Sequence, residues 1–359
     1  MYNVQRNGGC AGIDHMPATK LSELMGINKS ELADIVRQGK YLPQAILGVE
    51  IPKGNGKTRL LGIPTVTDRM LQQAVLQVIN ARFEFGFSEN SYGFRPGKNT
   101  QQAVRKAQNY INEGYQYIVD IDIKTFFDEV NHCHLMELIY RKLKCRETLR
   151  LIRKWLRAPI QIRGTLVKRR KGVPQGSPLS PLLSNIMLHE LDVELERSGH
   201  RFIRYADDFS IYCKTREEAE HVEKEISRFV ENKLKLPINK DKSGIRRPVQ
   251  FSLLGFGFTS TFVSGEKGKY QLVVSKQNWK NLKYKIKQIT RKTIPMSFTE
   301  RVAKLNEIQQ GWITAFRMAN IAKKLKYLDG WVRNRLRYCI WHHWKKPNKK
   351  MRSLIRLGI

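Results

Sequence analysis

The stretch Phe202-Ile203-Arg204-Tyr205-Ala206-Asp207-Asp208-Phe209-Ser210-Ile211-Tyr212 constrains this chain more than any other. Two adjacent carboxylates sit in an apolar and aromatic run that contains no glycine or proline. Phe202 to Tyr205 and Phe209 to Tyr212 each suit a strand, which puts Ala206-Asp207-Asp208 at or near a hairpin tip. Burying such strands sets two like charges side by side, and each raises the other's pKa unless a cation neutralises them. Alone, Asp-Asp is an ordinary solvated turn. A third carboxylate, a phosphate-binding set and a nucleic-acid surface would make it a site.

Charge supplies the first of these contexts. The formal net charge is +33 over 359 residues and the pI is about 10.1, which points to a polyanionic partner, nucleic acid before an anionic membrane surface. No apolar run is long enough to span a bilayer, and the start Met1-Tyr2-Asn3-Val4-Gln5-Arg6-Asn7 lacks the apolar core of a signal peptide. Cys10, Cys133, Cys145, Cys213 and Cys339 are scattered and never form CxxC, so a disulfide framework or zinc site is not expected. Residues 276–359 hold 22 Lys+Arg against Glu300, Glu307 and Asp329 alone, which places a domain boundary near 275. Five of the six tryptophans also lie there, more as core than as base-stacking platforms. In the last long helix Ile321, Leu325, Leu328, Val332, Leu336 and Cys339 share a face, and Lys323, Lys324, Lys326, Arg333 and Arg337 form a candidate RNA-binding surface.

The third carboxylate comes from Tyr117-Ile118-Val119-Asp120-Ile121-Asp122-Ile123, a strand whose alternation puts Asp120 and Asp122 on one face. Carboxylates from two strands with no histidine base point to Mg2+, which bridges protein oxygens to substrate phosphates. Two such ions roughly 4 Å apart would serve an in-line displacement by a 3′-hydroxyl. A glycosidase also uses two carboxylates but has no need of so basic a chain. Gly56-Lys57-Thr58 is not a Walker A loop, because Ile51 stands where its first glycine belongs. The segment Lys171-Gly172-Val173-Pro174-Gln175-Gly176-Ser177-Pro178-Leu179-Ser180-Pro181 is a loop entering a helix, with Ser177 or Ser180 as N-cap and Leu183, Met187, Leu191 and Leu195 as the inner stripe. A short helix is expected from Glu31 to Gln38, and capping boxes at Thr215/Glu218 and Ser297/Glu300.

In order, Ile51-Pro52-Lys53 with Arg59, Tyr92-Gly93-Phe94-Arg95-Pro96-Gly97, Asp122 with Phe126-Phe127-Asp128, Pro174 to Pro181, Tyr205-Ala206-Asp207-Asp208, and Leu253-Leu254-Gly255-Phe256 form a series. The series resembles the reverse transcriptase/maturase proteins encoded by bacterial-type group II introns. The resemblance covers essentially the whole chain, from Asn7-Gly8-Gly9-Cys10 in an N-terminal extension to Gly311-Trp312-Ile313-Thr314 in a maturase segment. It implies an α+β right-hand polymerase with an antiparallel palm sheet and a helical thumb. Residues 1–47 would be the N-terminal extension and start of the fingers, and 48–117 the fingers. Residues 118–275 would be the palm, with a fingers insertion near 124–198, and 276–359 the thumb or X domain.

The resemblance also implies roles. Asp122 and Asp207 would be the principal ligands of two Mg2+ ions, with the Ile123 carbonyl assisting and Asp208 in support. Phe127 would exclude a 2′-hydroxyl and favour dNTPs, which speaks against an RNA-dependent RNA polymerase. Lys53 and Arg59 would clamp the triphosphate, Gln175 would line the pocket, and Lys242 would act on the leaving pyrophosphate. Leu253, Leu254, Gly255 and Phe256 would form the primer grip. The implied activity is RNA-directed DNA synthesis in a bacterial cytoplasm, with an RNA template, a DNA or RNA primer, dNTPs, the cognate intron RNA and no membrane. The alternative is a protein that mainly binds RNA as a splicing maturase, its polymerase secondary. By the resemblance, the chain would lack the family's downstream DNA-binding segment and endonuclease.

Overall fold

In the computed structural model, which describes residues 1–54, 57–262, 266–344 and 346–356, without the side chains of 27, 28, 53, 54, 57, 343 and 354, the chain divides into two units. The first comprises Met1–Ala103 with Tyr117–Ile245, and the second Val104–Gln116 with Arg246–Ile359. No described helix is long and apolar enough to cross a membrane.

In the first unit the strand Tyr117–Ile121 runs antiparallel to Asp208–Cys213, with Asp120 opposite Ser210 and Ile121 opposite Phe209. Arg201–Tyr205 pairs with the outer side of Asp208–Cys213, and Tyr205 faces Asp208 across the turn. Alternation drives the packing, since Val119, Ile121 and Ile123 are buried while Asp120 and Asp122 are only half-buried. Helices fill the space behind the sheet. Arg216–Asn232 contributes Ala219, Val222, Ile226 and Val230, and Ser180–Arg197 is buried almost all round. His132–Lys142 adds Leu135 and Ile139, and Arg146–Arg157 adds Leu151, Ile152, Trp155 and Leu156 to the same core.

A second sheet joins Ile46–Gly54 and Lys57–Ile63, with Ile51 opposite Arg59, and extends through Ile160–Ile162 to Thr165–Val167. The helix Leu21–Arg37 starts at Leu21, well before the expected Glu31. Leu21 and Met25 pack with Val4 and Val66, and that apolar contact overrides Gly26 within the helix. Buried Asp68 ties three distant segments together, accepting hydrogen bonds from Tyr41 Oη (2.8 Å), Trp155 Nε1 (2.9 Å) and the Gln44 amide (3.2 Å). Burial pushes its carboxyl up, and these bonds oppose the push.

The expected caps at Thr215 and Ser297 form, each side chain accepting from the amide three residues on. The proposed cap at Ser177 or Ser180 does not. The N-cap of Ser180–Arg197 is Leu179, without a side-chain bond. Ser180 Oγ donates instead to the Pro174 carbonyl at 2.6 Å, and Ser177 Oγ to Gln72 Oε1. Both hydroxyls are buried and hold the loop in shape, so neither is available to the helix end.

In the second unit Phe256–Thr259 lies between Ser252–Leu253 and Gln271–Val274. Four helices follow, Lys276–Ile289, Phe298–Phe316, Ala322–His343 and Pro347–Arg356. Leu282, Ile286, Leu305, Leu328 and Val332 make their core, and Trp279, Trp312 and Trp331 pack against it.

Candidate active site

The turn that carries Asp207 is strained and braced. Ala206 sits at φ 57, a left-handed conformation that disfavours a residue with a Cβ by roughly 1–2 kcal/mol. Arg204, fully buried, holds it there. Its Nη1 donates to the Ala206 carbonyl and to Asn185 Oδ1, both at 3.0 Å, while Nε and Nη2 grip Asp192 at 2.7 and 2.6 Å. Asn185 Nδ2 donates to the Gly93 carbonyl at 2.9 Å, and the Tyr92 amide to the Arg204 carbonyl at 2.8 Å. A Cβ on Gly93 would collide with the Ala206 nitrogen, so only glycine lets this loop lie against the turn.

Asp122 follows the neighbouring strand and is fixed from both ends. Its amide donates to Ser243 Oγ at 3.0 Å, and its carbonyl accepts from the Asn239 amide at 2.8 Å. Its Oδ2 accepts from Asn239 Nδ2 at 2.8 Å and lies 3.4 Å from Lys242 Nζ. Ile123 is buried and bridges Ile238. Crowding by protein atoms, then the charges of Asp207, Asp122 and Asp120, pushes the Asp208 carboxyl up to about 6, against a smaller pull from Lys242. Asp122, Asp207, Asp208 and Lys242 therefore share one electrostatic site. Asp120 shares it too.

Among the described residues no three acidic, histidine or cysteine side chains already converge as a metal cage. The donor set is all oxygen, and Lys242 offsets only part of its negative charge, which fits a hard divalent cation.

The three segments that carry the expected nucleotide-contacting residues Phe127, Gln175 and Arg59 meet through sequence-distant hydrogen bonds. The Val173 amide donates to the Phe127 carbonyl at 2.6 Å, and the Gly62 amide to the Gln175 carbonyl at 2.7 Å. The loop bearing Gln175 thereby joins the Phe127 turn to the strand that carries Arg59. Phe127 is half-buried against Phe126, ring centroids 5.3 Å apart, and Arg59 is exposed. The Lys53 side chain lies outside the described residues. In the second unit Leu254 at φ 50 and Gly255 at φ 88 form the two-residue turn between Leu253 and Phe256. Lys323, Lys324, Lys326, Arg333 and Arg337 are exposed on their helix, with Arg333 paired to Asp329 at 2.7 Å.

Sequence reasoning missed Arg204, Asp192, Asn185, Asn239 and Ser243. A signal existed for the first two. Arg204 interrupts an otherwise apolar strand, and Asp192 occupies a core-facing position four residues after Leu188. A charge at a core position calls for a partner.

Residues 51–258 match the family described as reverse transcriptase (RNA-dependent DNA polymerase), and residues 279–358 match the group II intron, maturase-specific domain. Protein YkfC of Escherichia coli (strain K12) is 31% identical over 272 residues, covering 65% of this chain and 71% of YkfC. Group II intron-encoded protein LtrA of Lactococcus lactis subsp. cremoris is 29% identical over 293 residues, and the chain spans about half of it, 49%. That match covers 63% of this chain. Among solved structures, a chain of the partial Cas6-RT-Cas1--Cas2 complex is 32% identical, covering 58% of this chain and 38% of its own, with a TM-score of 0.36. With the first match spanning more than half of the sequence and the second following it in order, the chain belongs to the reverse transcriptase family, in the group II intron type that joins a polymerase domain to a maturase-specific domain.

Proposed function

We propose that this chain extends a primer 3′-hydroxyl with dNTPs on an RNA template, through Asp122, Asp207 and Asp208. The observation that carries this reading is the strand pairing that sets Asp122 beside Asp208 next to a braced turn, where crowding by protein atoms and the charges of Asp207, Asp122 and Asp120 raise the proton affinity of Asp208. Such a cluster is poor for stability and apt for divalent cations. Asp122 and Asp207 are the principal candidates to hold two Mg2+ ions, with Asp208 and the Ile123 carbonyl in support. When bound, the ions would acidify the attacking hydroxyl and neutralise charge on the leaving pyrophosphate.

The protein's own groups do the rest. Asn239 and Ser243 fix the Asp122 backbone and one carboxylate oxygen, so the ligand is oriented in advance. Lys242 holds positive charge against that oxygen and is the candidate to follow the departing pyrophosphate. Arg59 and Lys53 would bind the triphosphate, Gln175 would line the base pocket, and the Phe127 ring would exclude a 2′-hydroxyl. Leu253 to Phe256 would seat the primer. In this reading the first unit supplies fingers and palm, and the basic helices after residue 275 supply the thumb.

A second role, binding the intron RNA to assist its splicing, is supported by the match at 279–358. Asp207→Asn tests the first role against the second. Extension of a DNA primer on an RNA template should fall at least about 1000-fold, as for loss of a group that stabilises the transition state. RNA affinity, measured on the same preparation, should stay within about twofold, because the substitution removes no phosphate contact. Undiminished extension would refute the assignment.

A further inference from the structure

The helix Arg146–Arg157 carries an arginine stripe that the active site does not use. Arg146, Arg150, Arg153 and Arg157 recur at intervals of four, three and four residues, which puts all four on one helix face over roughly 16 Å. All four are exposed. Leu151, Ile152 and Trp155 on the opposite face are buried in the main core, and the Trp155 indole donates to Asp68. Lys154, off the stripe, is used internally, its ammonium bonding the Gly39 and Tyr41 carbonyls at 2.7 Å. The helix is therefore a rigid mount.

Two features separate this stripe from an ordinary solvated face. Arg141, Arg197 and Arg216, exposed on other helices, are paired, the first with Glu137 and Glu190, the second with Glu194 and the third with Glu220. None of the four stripe arginines makes an ion pair among the described residues. Local energetics also disfavour the arrangement, because Arg146 stands at the first helical position, where the macrodipole repels cations. At the other end the stripe meets a second basic segment, Lys168-Arg169-Arg170-Lys171. Arg157 and Arg169 both act on His132, which puts the two guanidinium groups about one imidazole, and Arg169 Nη1 is buried without a hydrogen-bond partner.

We infer that this face is a docking surface for the sugar-phosphate backbone of folded RNA, with the four guanidinium groups on successive phosphates. Guanidinium forks match phosphate oxygens in geometry as well as charge. The exposed side of the helix carries no large apolar residue, and a membrane-binding helix needs an apolar face to insert. The choice of RNA rests on the reading of the chain as an intron-RNA binder. The surface itself does not depend on the polymerase site.

The test is the salt dependence of binding by the full chain to a synthetic RNA stem-loop, with a DNA stem-loop of the same sequence and anionic vesicles as comparison arms. In the variant Arg146→Gln/Arg150→Gln/Arg153→Gln/Arg157→Gln, the slope of log K against log salt should lose about 3, since each phosphate contact contributes roughly 0.7–0.9. Glutamine keeps helix propensity close to that of arginine, and an unchanged melting curve verifies the fold. Replacing the same four by lysine should restore most of the slope. Primer extension on a short template should persist in the glutamine variant, so this inference and the polymerase assignment can fail separately. An unchanged slope on RNA would overturn the proposal, as would a larger loss on DNA than on RNA, or loss of vesicle binding alone.

Discussion

Arg204 and the stripe on Arg146–Arg157 put the same side chain to opposite uses. Arg204 is fully buried and bonds Asp192, Asn185 and Ala206, whereas the stripe arginines are exposed and make no ion pair among the described residues. Buried, the guanidinium converts electrostatic energy into geometry: it fixes a turn that would otherwise relax from its left-handed conformation. Exposed, it leaves its charge available to something outside the molecule. Position, more than residue type, decides whether a charge serves the fold or a partner.

The largest effect should come from breaking the buried pair. Arg204→Met leaves Asp192 uncompensated in the core, where burial already pushes its carboxyl up, and should destabilise by about 3–5 kcal/mol in chemical unfolding. Arg153→Met on the stripe should stay within about 0.5 kcal/mol. The double variant Arg204→Met/Asp192→Leu should recover most of the lost stability, because a packed apolar pair can replace a buried ion pair. It should not recover primer extension, since nothing then holds the Ala206 carbonyl. Full recovery of both would reduce Arg204 to a packing residue.

Gly93→Ala probes the same turn from its other side with a smaller change. The added methyl meets backbone at Ala206, so the turn or the loop must shift by about 1 Å to restore ordinary contact. Extension should fall about 10–100-fold, the scale of a sub-ångström to 1 Å misplacement, for a stability loss of about 1–3 kcal/mol. A drop in melting temperature with full activity would show that the turn tolerates the displacement.

What could be read before the structure, and what could not, follows the range of the interactions. The hairpin, the Asp122 strand and the caps at Thr215 and Ser297 depend on side-chain alternation and on residues three or four apart, so sequence period exposes them. Asn239 reaches Asp122 across 117 residues, and no periodicity reports such a contact. The serines of the Pro174 to Pro181 loop failed for a related reason. Cap chemistry was locally sound, but Gln72, far away in sequence, competes for Ser177. Arg204 was visible as a charge among apolar residues, yet its partner needed the packed helix to be identified.

The next effect concerns protonation. Because Asp208 titrates near 6, above the usual carboxylate range, the folded chain binds more protons there than the unfolded chain between about pH 4 and 6. Its contribution to stability is thus present below the unfolded pKa and is lost as pH rises through the folded one. A carboxyl-detected NMR titration should give a midpoint near 6 for Asp208 and a lower one in Asp207→Asn, where one repelling charge is gone. RNA binding through the stripe, by contrast, should be flat from pH 5 to 8, because guanidinium groups do not titrate there. An ordinary Asp208 midpoint would mean that the acidic cluster is looser than its geometry indicates.

The smallest effect sharpens the exposed side of the comparison. Glu147 is the only acid on the stripe's helix, and its own amide, then the Cys145 thiol, with Arg146 and Arg150 adding to them, hold its carboxyl below the usual range. It therefore does two things at once. It offsets the cations at a helix N-terminus, and it repels any phosphate that approaches Arg146 or Arg150. Glu147→Gln should lower the melting temperature slightly while tightening RNA binding slightly and steepening its salt dependence by less than one phosphate equivalent. The two changes have opposite signs for fold and partner, which a purely structural stripe would not produce. If stability and affinity fall together, Glu147 and the arginines beside it serve the helix alone.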